Sequence, residues 1–504
     1  MRCARLGESE FKTLMDNARP NIILILTDDL GWRDLACYGS TFYETPHLDR
    51  LAAEGMTFTD AYAASPVCSP ARASILTGKY PARVGVTDWI DWNKNLHPCR
   101  GRLVDAPYVD HLPLTEKSLA AALREAGYQT WHVGKWHLGE SPYQPENHGF
   151  EVNIGGCHWG SPRNGYFSPW GLPNLAEGPA GEYLTDRLTD EAIRLIRARG
   201  DRPFFLNLWH YAVHNPMQAK AEDTARFTAK AHALGLDRIQ PFAAGEFFPC
   251  EHKKHQRVTR RLLQSDPVYA AMVYNLDWNI GRLLRALAET GKEGETLVIF
   301  TSDNGGLATS EGSPTCNKPL SEGKGWMYEG GVRVPLIAWW PGVIRPGSIC
   351  RAPVTSPDFY PTFMALAGEP RPEQLLDGVS LVPLFGGAAG LERDALYWHY
   401  PHYGNQGGTP GSSVRMGDYK LIEFFEDGRC ELYHLQEDPG EERNLAEDQP
   451  GLVAQMRQIL AAWRENVGAR VPERNPQYGQ AERVQLPILR DDGGGDKGAK
   501  GREE

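Results

Sequence analysis

The chain has 504 residues, and this length predicts a large core domain with a smaller one beside it. Its 41% hydrophobic content, with 14 Trp, 20 Tyr and 17 Phe, is typical of a packed globular protein. The 53 basic and 64 acidic residues give a net charge of −11, which argues against nucleic acid or an anionic membrane as the partner. An anionic ligand would therefore have to meet local cations in an acidic protein.

The cysteine content and the N-terminal sequence indicate the cellular compartment of the protein. Nine scattered cysteines without a Cys-x-x-Cys pair predict neither a disulfide framework nor a zinc site, so a reduced protein is expected. No apolar run approaches the roughly 18 residues of a membrane span. Residues 1–20 carry charges and lack the apolar core of a signal peptide. The sequence as written predicts a cytoplasmic protein, or a periplasmic or secreted one if the true N-terminus is missing.

Helices and buried strands alternate along the first three quarters of the chain. The run Asn21–Thr27 is apolar throughout, which is typical of a strand buried on both faces. The pattern then predicts, in order, helices from Pro46 to Gly55, Pro70 to Gly78 and Thr115 to Gly127, strand Tyr128–Val133, helix Leu184–Ala198, strand Pro203–Trp209, helix Val268–Leu287, strands Thr296–Phe300 and Val334–Trp340, and helix Asp358–Gly368. This order predicts an α/β fold with a large, mostly parallel sheet sandwiched by helices.

The pattern changes after about residue 385. Short strands are predicted at Ser413–Arg415, Tyr419–Phe424 and Cys430–His434, followed by a helix at Leu452–Val467. These elements indicate a small antiparallel α+β subdomain. We therefore expect an N-terminal extension at 1–19, a large catalytic domain at 20–385, the C-terminal subdomain at 386–485, and a disordered tail rich in Gly and charge at 486–504.

Polar residues follow four of the predicted parallel strands. In such sheets ligands bind beyond the carboxyl ends of the strands. The residues expected at this edge are Asp28 and Asp29, Lys135 and His137, His210 and His214, and Asp303 and Asn304. The three carboxylates and one amide oxygen suit Ca²⁺ or Mg²⁺ better than Zn²⁺. Taken alone, Asp28-Asp29 and Asp303-Asn304 are also common in ordinary turns. A packed or hydrogen-bonded side chain is the favoured interpretation of His210.

Cys68 precedes a predicted helix start, with Arg72 about one turn inside the helix. The free N–H groups and the dipole of a helix N-terminus favour negative charge, so this segment is a candidate site for a tetrahedral oxyanion. A buried cysteine before an ordinary helix is the plainer alternative.

The pattern Cys68-x-Pro-x-Arg72, continued by Thr77-Gly-Lys-Tyr-Pro-x-Arg83, resembles the signature of the type I sulfatases, the arylsulfatase A-like family of the alkaline phosphatase superfamily. Ala71 stands where that signature often has Ser. The resemblance implies that Cys68 is oxidised to formylglycine by a formylglycine-generating or anaerobic sulfatase-maturing enzyme. The hydrated aldehyde would then be the nucleophile, and its oxygen would join Asp28, Asp29, Asp303 and Asn304 around Ca²⁺ or Mg²⁺.

Three further motifs match the family in order. Gly-Lys135-Trp-His137-Leu-Gly is similar residue for residue, Val-His214-Asn-Pro matches its His-x-Pro position, and Lys324 matches its Gly-Lys-Gly. The resemblance implies that His137 accepts a proton from the nucleophile's second hydroxyl, and that His214 and Lys324 serve the leaving oxygen. Arg72, Lys135 and Lys324 would balance the charge of the sulfuryl group.

The substrate is less defined by the sequence. The segment Asn153–Phe167 looks like the specificity loop of carbohydrate sulfatases, which favours a sulfated sugar. The aromatic candidates for stacking on it are Tyr80, Trp89, Trp92, His158 and Trp159. Two insertions, Val86–His111 and Met217–Asp266, are candidate substrate walls or plain surface additions. The alternatives are a phosphonate monoester or phosphodiester hydrolase of the same superfamily, and a non-catalytic binder of sulfated glycans.

Overall fold

An eight-stranded sheet forms the centre of the protein, whose computed structural model describes residues 19–90, 100–369 and 374–478. The strands are β1 Asn21–Thr27, β2 Met56–Phe58, β3 Ala61–Tyr62, β4 Leu103–Val104, β5 Gln129–Gly134, β6 Val152–Ile154, β7 Phe204–Trp209, β8 Phe242–Phe247, β9 Arg257–Arg261, β10 Thr296–Ser302, β11 Leu336–Trp339, β12 Ser348–Cys350, β13 Val354–Thr355, β14 Leu396–Tyr400, β15 Gly411–Met416, β16 Tyr419–Phe424, β17 Cys430–His434 and β18 Glu473–Arg474. The α-helices are α1 Pro46–Glu54, α2 Cys68–Thr77, α3 Pro81–Val84, α4 Leu119–Glu125, α5 Leu184–Ala198, α6 Ala221–Ala233, α7 Pro267–Glu289, α8 Glu329–Val332, α9 Phe359–Leu366, α10 Val382–Phe385 and α11 Pro450–Val467.

The sheet has the order β12-β2-β11-β10-β1-β7-β5-β6. Strand β1 pairs in parallel with β10 on one side and with β7 on the other, and β5 extends the parallel run from β7 to β6. Strand β11 runs antiparallel to both of its neighbours, β10 and β2. The prediction of a large, mostly parallel sheet is confirmed.

Alternate residues of β1 supply two different hydrophobic cores. Ile23 and Ile25 belong to the core that contains helices α5 and α7. Ile22, Leu24 and Leu26 belong to the core on the other face, with helices α4 and α9. Every side chain of the strand is buried, which explains why its sequence is apolar throughout rather than alternating. Helices therefore cover both faces of the sheet, as predicted.

The helix predicted from Pro70 begins two residues earlier, at Cys68, with Val67 as the N-cap. Pro70 thus lies in the first turn, where a missing N–H costs nothing because that amide has no acceptor within the helix. The helix ends where predicted, since Gly78 adopts the left-handed conformation that closes it. The Cys68 side chain is consequently part of the first helical turn.

The helix predicted from Thr115 begins only at Leu119. Ser118 Oγ accepts the amide of Ala121 and is the actual N-cap. The residues before it form a turn, in which the Glu116 amide donates to the carbonyl of Pro113. Two hydroxyl residues three positions apart were both suitable caps, and the tertiary position of Ser118, whose hydroxyl also contacts the His148 carbonyl, decides between them.

The C-terminal part forms a four-stranded antiparallel sheet in the order β14-β15-β16-β17. Val414, Leu421 and Leu432 from three of its strands pack with Met456 and Leu460 of helix α11. The predicted antiparallel α+β character is confirmed, whereas strand β14 had no counterpart in the prediction. The division at residue 385 stays a prediction. Residues 479–504, which include the whole predicted tail at 486–504, lie outside the described ranges.

The insertion Met217–Asp266 carries helix α6 and an antiparallel hairpin of β8 and β9. Within the described ranges, no helix is long and apolar enough to cross a membrane. All cysteines of those ranges have free thiols. Only Arg19 of the predicted N-terminal extension is described, and its guanidinium contacts the carbonyls of Ala126 and Ala367.

A buried lysine joins the C-terminal sheet to the large domain. Lys420 Nζ lies 3.0 Å from Glu329 Oε1 and 3.0 Å from Glu441 Oε1, and all three side chains are buried. Since two carboxylates share one ammonium, burial and the nearby Glu329 raise the pKa of Glu441 to about 8. Glu329 and Glu441 together therefore bind a proton more tightly than two separate glutamates in water would.

This raised pKa predicts a pH-dependent stability. The pKa of a glutamate in the unfolded chain is about 4.3. The folded protein therefore binds the Glu441 proton more tightly than the unfolded chain does, and its free energy of unfolding falls as the pH rises from about 4 to about 8. We expect Glu441→Gln to remove this loss, with a melting temperature at least about 2 °C above wild type at pH 8 and little changed at pH 5. The exposed neighbour Glu442, replaced by Gln, is the control. Parallel Tm-against-pH curves for wild type and Glu441→Gln would contradict the assignment.

Candidate functional site

The carboxyl ends of β1 and β10 lie side by side, and each is followed by two polar residues. Asp28 and Asp29 follow β1, and Asp303 and Asn304 follow β10. The Asp303 amide donates to the Thr27 carbonyl at 3.1 Å, and Asn304 Nδ2 donates to Asp29 Oδ1 at 2.8 Å. All four side chains are buried. The structure thus groups the four residues predicted as metal ligands.

Three buried cations face these carboxylates. Buried charges cost several kcal/mol each unless they are paired, so their number and placement matter. Each cation contacts a different carboxylate: Lys135 Nζ lies 2.6 Å from Asp28 Oδ2, Lys324 Nζ lies 2.8 Å from Asp29 Oδ2, and Arg72 Nη2 lies 2.8 Å from Asp303 Oδ2. The cluster therefore sets three carboxyl groups against three cations.

Gly134 allows the end of β5 to bring Lys135 into this cluster. It has a φ of +103°, and a Cβ at this position would come within 1.9 Å of the Trp209 carbonyl oxygen. The Lys135 amide donates to that same oxygen at 2.7 Å. The glycine of the Gly-Lys-Trp-His motif is thus required by a close approach of two neighbouring strand ends.

The two adjacent aspartates have opposite pKa shifts. Burial, together with the charges of Asp303 and Asp29, raises the pKa of Asp28 to about 8. Burial acts in the same sense on Asp29, but Lys324 and His214 lower the pKa of that carboxyl below its usual range. Asp28 is therefore the carboxylate of the cluster that most needs a further positive charge.

Two buried oxygens of the cluster fit a bound cation. Within the described residues, Asp28 Oδ1 and Asn304 Oδ1 are buried without a hydrogen-bond partner. Asp28, Asp29 and His214 each offer a ligand atom, and these atoms lie within 4.8 Å of one another. Asp303 has less capacity left for a cation, because its Oδ2 already accepts hydrogen bonds from Arg72 Nε and Nη2. The mainly oxygen donor set matches a hard divalent cation.

Cys68 contacts a histidine whose tautomer the backbone determines. Its Sγ lies 3.2 Å from His137 Nδ1, and His137 Nε2 lies 2.6 Å from the Ile90 carbonyl oxygen. Because a carbonyl only accepts, Nε2 carries the proton and Nδ1 is the acceptor that faces residue 68. Burial and Lys135 lower the pKa of His137 well below its usual value, so the ring is neutral.

The Cys68 thiol itself is poorly suited to attack. Burial raises its pKa above the ordinary value, although Lys135 and Lys324 act in the opposite sense. The thiolate is the nucleophilic form of cysteine, so an unmodified Cys68 is largely inert at neutral pH.

Ser69 and Ile90 form hydrogen bonds that hold His137 in place, and neither residue was predicted from the sequence. Ser69 Oγ donates to the His137 carbonyl at 3.0 Å and accepts the Ile90 amide at 3.0 Å. A main-chain carbonyl leaves no residue signature in a sequence, so Ile90 could not be found there. Ser69 follows Cys68 directly, and its hydroxyl in the first helical turn was the available signal.

The two histidines that follow β7 have different environments. His214 Nε2 lies 3.6 Å from Asp29 Oδ2, and its Nδ1 lies 2.9 Å from the Asn215 carbonyl. Burial and Lys324 lower the pKa of His214 to about 3. His210 is buried, and neither of its ring nitrogens has a hydrogen-bond partner among the described residues. This is the packed histidine that was the favoured interpretation of His210.

A cavity of about 600 Å³ lies over Cys68. Besides His137, His214 and Lys324, its lining comprises Val67, Trp89, Ile90, His158, Gly160, Ser161, Arg163, Asn215, Leu307, Glu311, Asn405 and Gln406. Of the predicted aromatic contacts, Trp89 and His158 line the cavity. Trp159 does not line it, since its ring packs against the core with the Arg163 guanidinium 4.7 Å away. Tyr80 packs against Trp463, and Trp92 lies outside the described residues.

The cavity walls come from more of the chain than predicted. The insertion Val86–His111 contributes Trp89 and Ile90. The insertion Met217–Asp266 contributes no described lining residue, but its Lys253 Nζ lies 3.3 Å from the carbonyl oxygen of Asn405, which does line the cavity. Asn405 and Gln406 come from the C-terminal part, which sequence reasoning had not linked to the site.

The chain matches the profile of the family described as Sulfatase over residues 20–369, and that described as N-sulphoglucosamine sulphohydrolase, C-terminal, over residues 322–466. It is 34% identical to arylsulfatase A of Homo sapiens, over 88% of this chain and 86% of that protein. It is 33% identical to N-acetylgalactosamine-6-sulfatase of Rattus norvegicus, over 80% of this chain and 71% of that protein.

Solved structures give the same picture. The crystal structure of Ps i-CgsB in complex with k-i-k-neocarrahexaose has a TM-score of 0.70 and 30% identity, and covers 88% of this chain and 92% of that one. Phosphonate monoester hydrolase of Agrobacterium radiobacter has a TM-score of 0.59 and 22% identity, over 91% of this chain and 100% of that one. At this identity the latter likeness concerns the fold alone.

The unsatisfied oxygens of Asp28 and Asn304 predict a cation site that calorimetry can measure. We expect the purified protein to bind Ca²⁺, and Asp28→Ala to weaken the binding on the order of 100-fold or more, since even outer-shell ligand partners contribute 10–100-fold. The exposed Glu442→Gln is the control. Zn²⁺ binding that is tighter than Ca²⁺ binding and insensitive to Asp28→Ala would contradict an all-oxygen site.

Proposed function

Because this chain belongs to the sulfatase family and is a sulfuric ester hydrolase, we propose that it removes sulfate from a glycan through a formylglycine formed at Cys68 and a bound Ca²⁺. The observation that carries the proposal is the position of Cys68, which lines the cavity together with Lys324 and contacts the neutral ring of His137. A glycan is supported by two similar proteins, since one is named for N-acetylgalactosamine-6-sulfate and the other holds a neocarrahexaose.

Formylglycine at residue 68 is supported by the pattern Cys68-x-Pro-x-Arg72 and by the inert thiol. A buried cysteine with a raised pKa gives little thiolate. A hydrated aldehyde at the same position would supply two hydroxyls, one as the nucleophile toward sulfur and one whose deprotonation would let the carbonyl re-form while the C–O bond to sulfate breaks. The oxidation requires a partner, a formylglycine-generating or anaerobic sulfatase-maturing enzyme. It acts before folding buries Cys68, because the side chain is only 3% exposed in the folded protein.

His137 is the base in this proposal. Its Nδ1 faces residue 68 as an acceptor, and its Nε2–H is held by the Ile90 carbonyl. Nε2 keeps its proton in the hydrogen bond to the Ile90 carbonyl. His137 would therefore take up and release the catalytic proton at Nδ1. The low pKa of His137 means that it holds a proton only briefly, so that it returns to the neutral form between turnovers.

In this proposal the three cations balance the charge of the sulfate ester. Lys324 lines the cavity, and Arg72 and Lys135 lie behind it among the carboxylates. Their positions are set before substrate arrives, because each is already paired with an aspartate. Preorganised positive charge of this kind stabilises the charge that develops on the sulfuryl oxygens, and removal of one such group from an active site typically costs about 10²–10³-fold in rate.

Asp28, Asp29, Asp303 and Asn304 would hold the divalent cation, with Ca²⁺ favoured and Mg²⁺ as the alternative. The cation would supply further positive charge at the nucleophile and lower the pKa of its hydroxyl. Asp303 would also accept the proton of the attacking hydroxyl. Arg72 keeps that carboxylate in place through two hydrogen bonds to its Oδ2.

His214 serves the leaving oxygen in this proposal. Its ring lines the cavity, and the Nδ1–H donates to the Asn215 carbonyl, which leaves Nε2 to face the ligand. In the ligand-free protein the pKa of about 3 keeps the ring neutral. A sulfate ester brings negative charge into the cavity, which favours the protonated ring. The adjacent Lys324 ammonium stabilises the departing alkoxide.

The nucleophile is tested by changing residue 68. We expect Cys68→Ala to abolish sulfate ester hydrolysis without lowering the melting temperature much, and Cys68→Ser to be nearly as inactive because serine has a single hydroxyl. In the active wild type, the peptide containing residue 68 should be lighter than the cysteine form by about 18 Da. Full activity in Cys68→Ala, or faster turnover of a phosphonate monoester than of any sulfate ester, would refute the proposal.

The two histidines are separated by the leaving group of the substrate. If His214 protonates the leaving oxygen, His214→Ala should slow sugar sulfates by about 10²–10⁴-fold and activated aryl sulfates much less. His137 acts after the alcohol has departed, so His137→Ala should slow both substrates alike and accumulate sulfate bound to residue 68. The measurement is the aryl-to-sugar rate ratio of each variant, with mass spectrometry for the bound sulfate. Equal ratios in the two variants, without bound sulfate in His137→Ala, would contradict these roles.

A further inference from the structure

Glu311 carries a carboxylate on the wall of the cavity that contains Cys68, His214 and Lys324. A negative charge beside the site of an anionic ester opposes binding of the ester, and it also raises the pKa of the Lys324 ammonium nearby. The acidic residue therefore needs a compensating role. Glu311 is not the nucleophile, the base, one of the cations or the leaving-group acid of the proposed reaction.

The structure holds Glu311 firmly although its side chain is exposed. Gln406 Nε2 donates to its Oε2 at 2.6 Å, and Asn215 Nδ2 donates to its carbonyl oxygen at 3.2 Å. Ser310, Glu311 and Ser313 have φ values of +50°, +46° and +38°. Non-glycine residues in this region are strained, and such strain is concentrated at sites where a side chain must take one position.

Gln406 connects the Glu311 carboxylate to the loop that carries Lys324 and Gly325. It is 5% exposed and comes from the C-terminal part of the chain. A Cβ on Gly325 would meet its Oε1 at 2.3 Å, so the amide packs directly on the residue after Lys324. The positions of the Glu311 carboxylate and of the Lys324 backbone are therefore set by the same glutamine.

The other carboxylate oxygen of Glu311 is available to a ligand. Among the hydrogen bonds of the described chain, Gln406 donates to Oε2 and no donor reaches Oε1. An ionised carboxylate accepts several hydrogen bonds and cannot donate. Its complement in a small ligand is a hydroxyl or an amine, and its charge repels a second sulfate or a carboxylate.

We propose that Glu311 is a specificity-determining residue that accepts hydrogen bonds from free hydroxyl groups of the sugar ring that carries the sulfate, with Gln406 as its positioning residue. The inference rests on the proposed glycan sulfatase activity. Glu311 thereby selects rings with one sulfate and unmodified hydroxyls, and disfavours rings with a second anionic substituent at that position. The energy lost by bringing the carboxylate near the ester is offset only by a ligand that donates to it.

The test compares an aryl sulfate, a monosulfated hexose and a disulfated hexose with the mature enzyme. The hexoses are chosen as those that the wild type turns over fastest within each class, and 4-nitrophenyl sulfate is the substrate without ring hydroxyls. A hydrogen bond to a charged group contributes about 1.5–3 kcal/mol and one to a neutral group about 0.5–1.5 kcal/mol, so Glu311→Gln, which keeps a neutral acceptor, should lower kcat/KM for the monosulfated hexose by about 5–13-fold. For 4-nitrophenyl sulfate kcat/KM should not fall and should rise slightly, because that substrate cannot donate to residue 311 and the substitution removes a charge that repels the ester.

Two further comparisons distinguish recognition from a structural effect. Gln406→Ala should lower kcat/KM for the monosulfated hexose in the same direction, and the disulfated hexose should improve relative to the monosulfated one in Glu311→Gln. The exposed Glu437→Gln is the control and should match wild type on all three substrates. Melting temperatures establish that each variant is folded.

The outcomes separate the inference from the function on which it rests. A wild type with formylglycine at residue 68 and no turnover of any sulfate ester overturns both. Turnover of all substrates with unchanged ratios in Glu311→Gln overturns the inference alone, and so does an equal loss on aryl and sugar sulfates. A selective loss on the monosulfated hexose supports it.

Discussion

The balance of buried charge at the carboxyl edge of the central sheet constrains the rest of the structure. Asp28, Asp29 and Asp303 are buried together, and such a group is tolerated only when cations and hydrogen-bond donors meet it. Arg72 comes from the helix that Cys68 begins, Lys135 from the end of β5 and Lys324 from the loop before α8. Helix, strand ends and loop are thus held by the same three cations that, in the proposed function, balance the charge of the sulfate.

Around this cluster, a second set of contacts determines which ring nitrogen of His137 faces residue 68. Ile90 receives the Nε2–H, and Ser69 fastens Ile90 to the helix start and to the His137 backbone. The ring of His137 is therefore oriented by one main-chain carbonyl, and the Ser69 hydroxyl ties together the three segments that carry Ser69, Ile90 and His137. In contrast to a carboxylate, a carbonyl orients the ring without adding to the negative charge, which suits a site that already contains three aspartates.

The C-terminal part belongs to the functional unit. Lys420 bridges Glu329 and Glu441, and Glu329 opens the short helix five residues after Lys324. Gln406 contacts the same loop from the cavity side. The C-terminal part therefore supports the loop that carries Lys324 from two directions, and its Asn405 and Gln406 supply part of the cavity wall. Its separation from the large domain in sequence does not correspond to a separation in the site.

By itself, the amino-acid sequence determined the mostly parallel sheet, its covering helices, the antiparallel C-terminal sheet and the family, because apolar periodicity and ordered motifs are local features. It also identified the residues at the strand ends. Tertiary structure alone decided that Cys68 starts its helix, that Ser118 rather than Thr115 caps the next one, that Trp159 packs away from the cavity, and that Ile90, Glu311 and Gln406 reach the site. These depend on main-chain atoms and on contacts between segments distant in the chain, such as that between Glu311 and Gln406, and neither leaves a pattern in a single sequence.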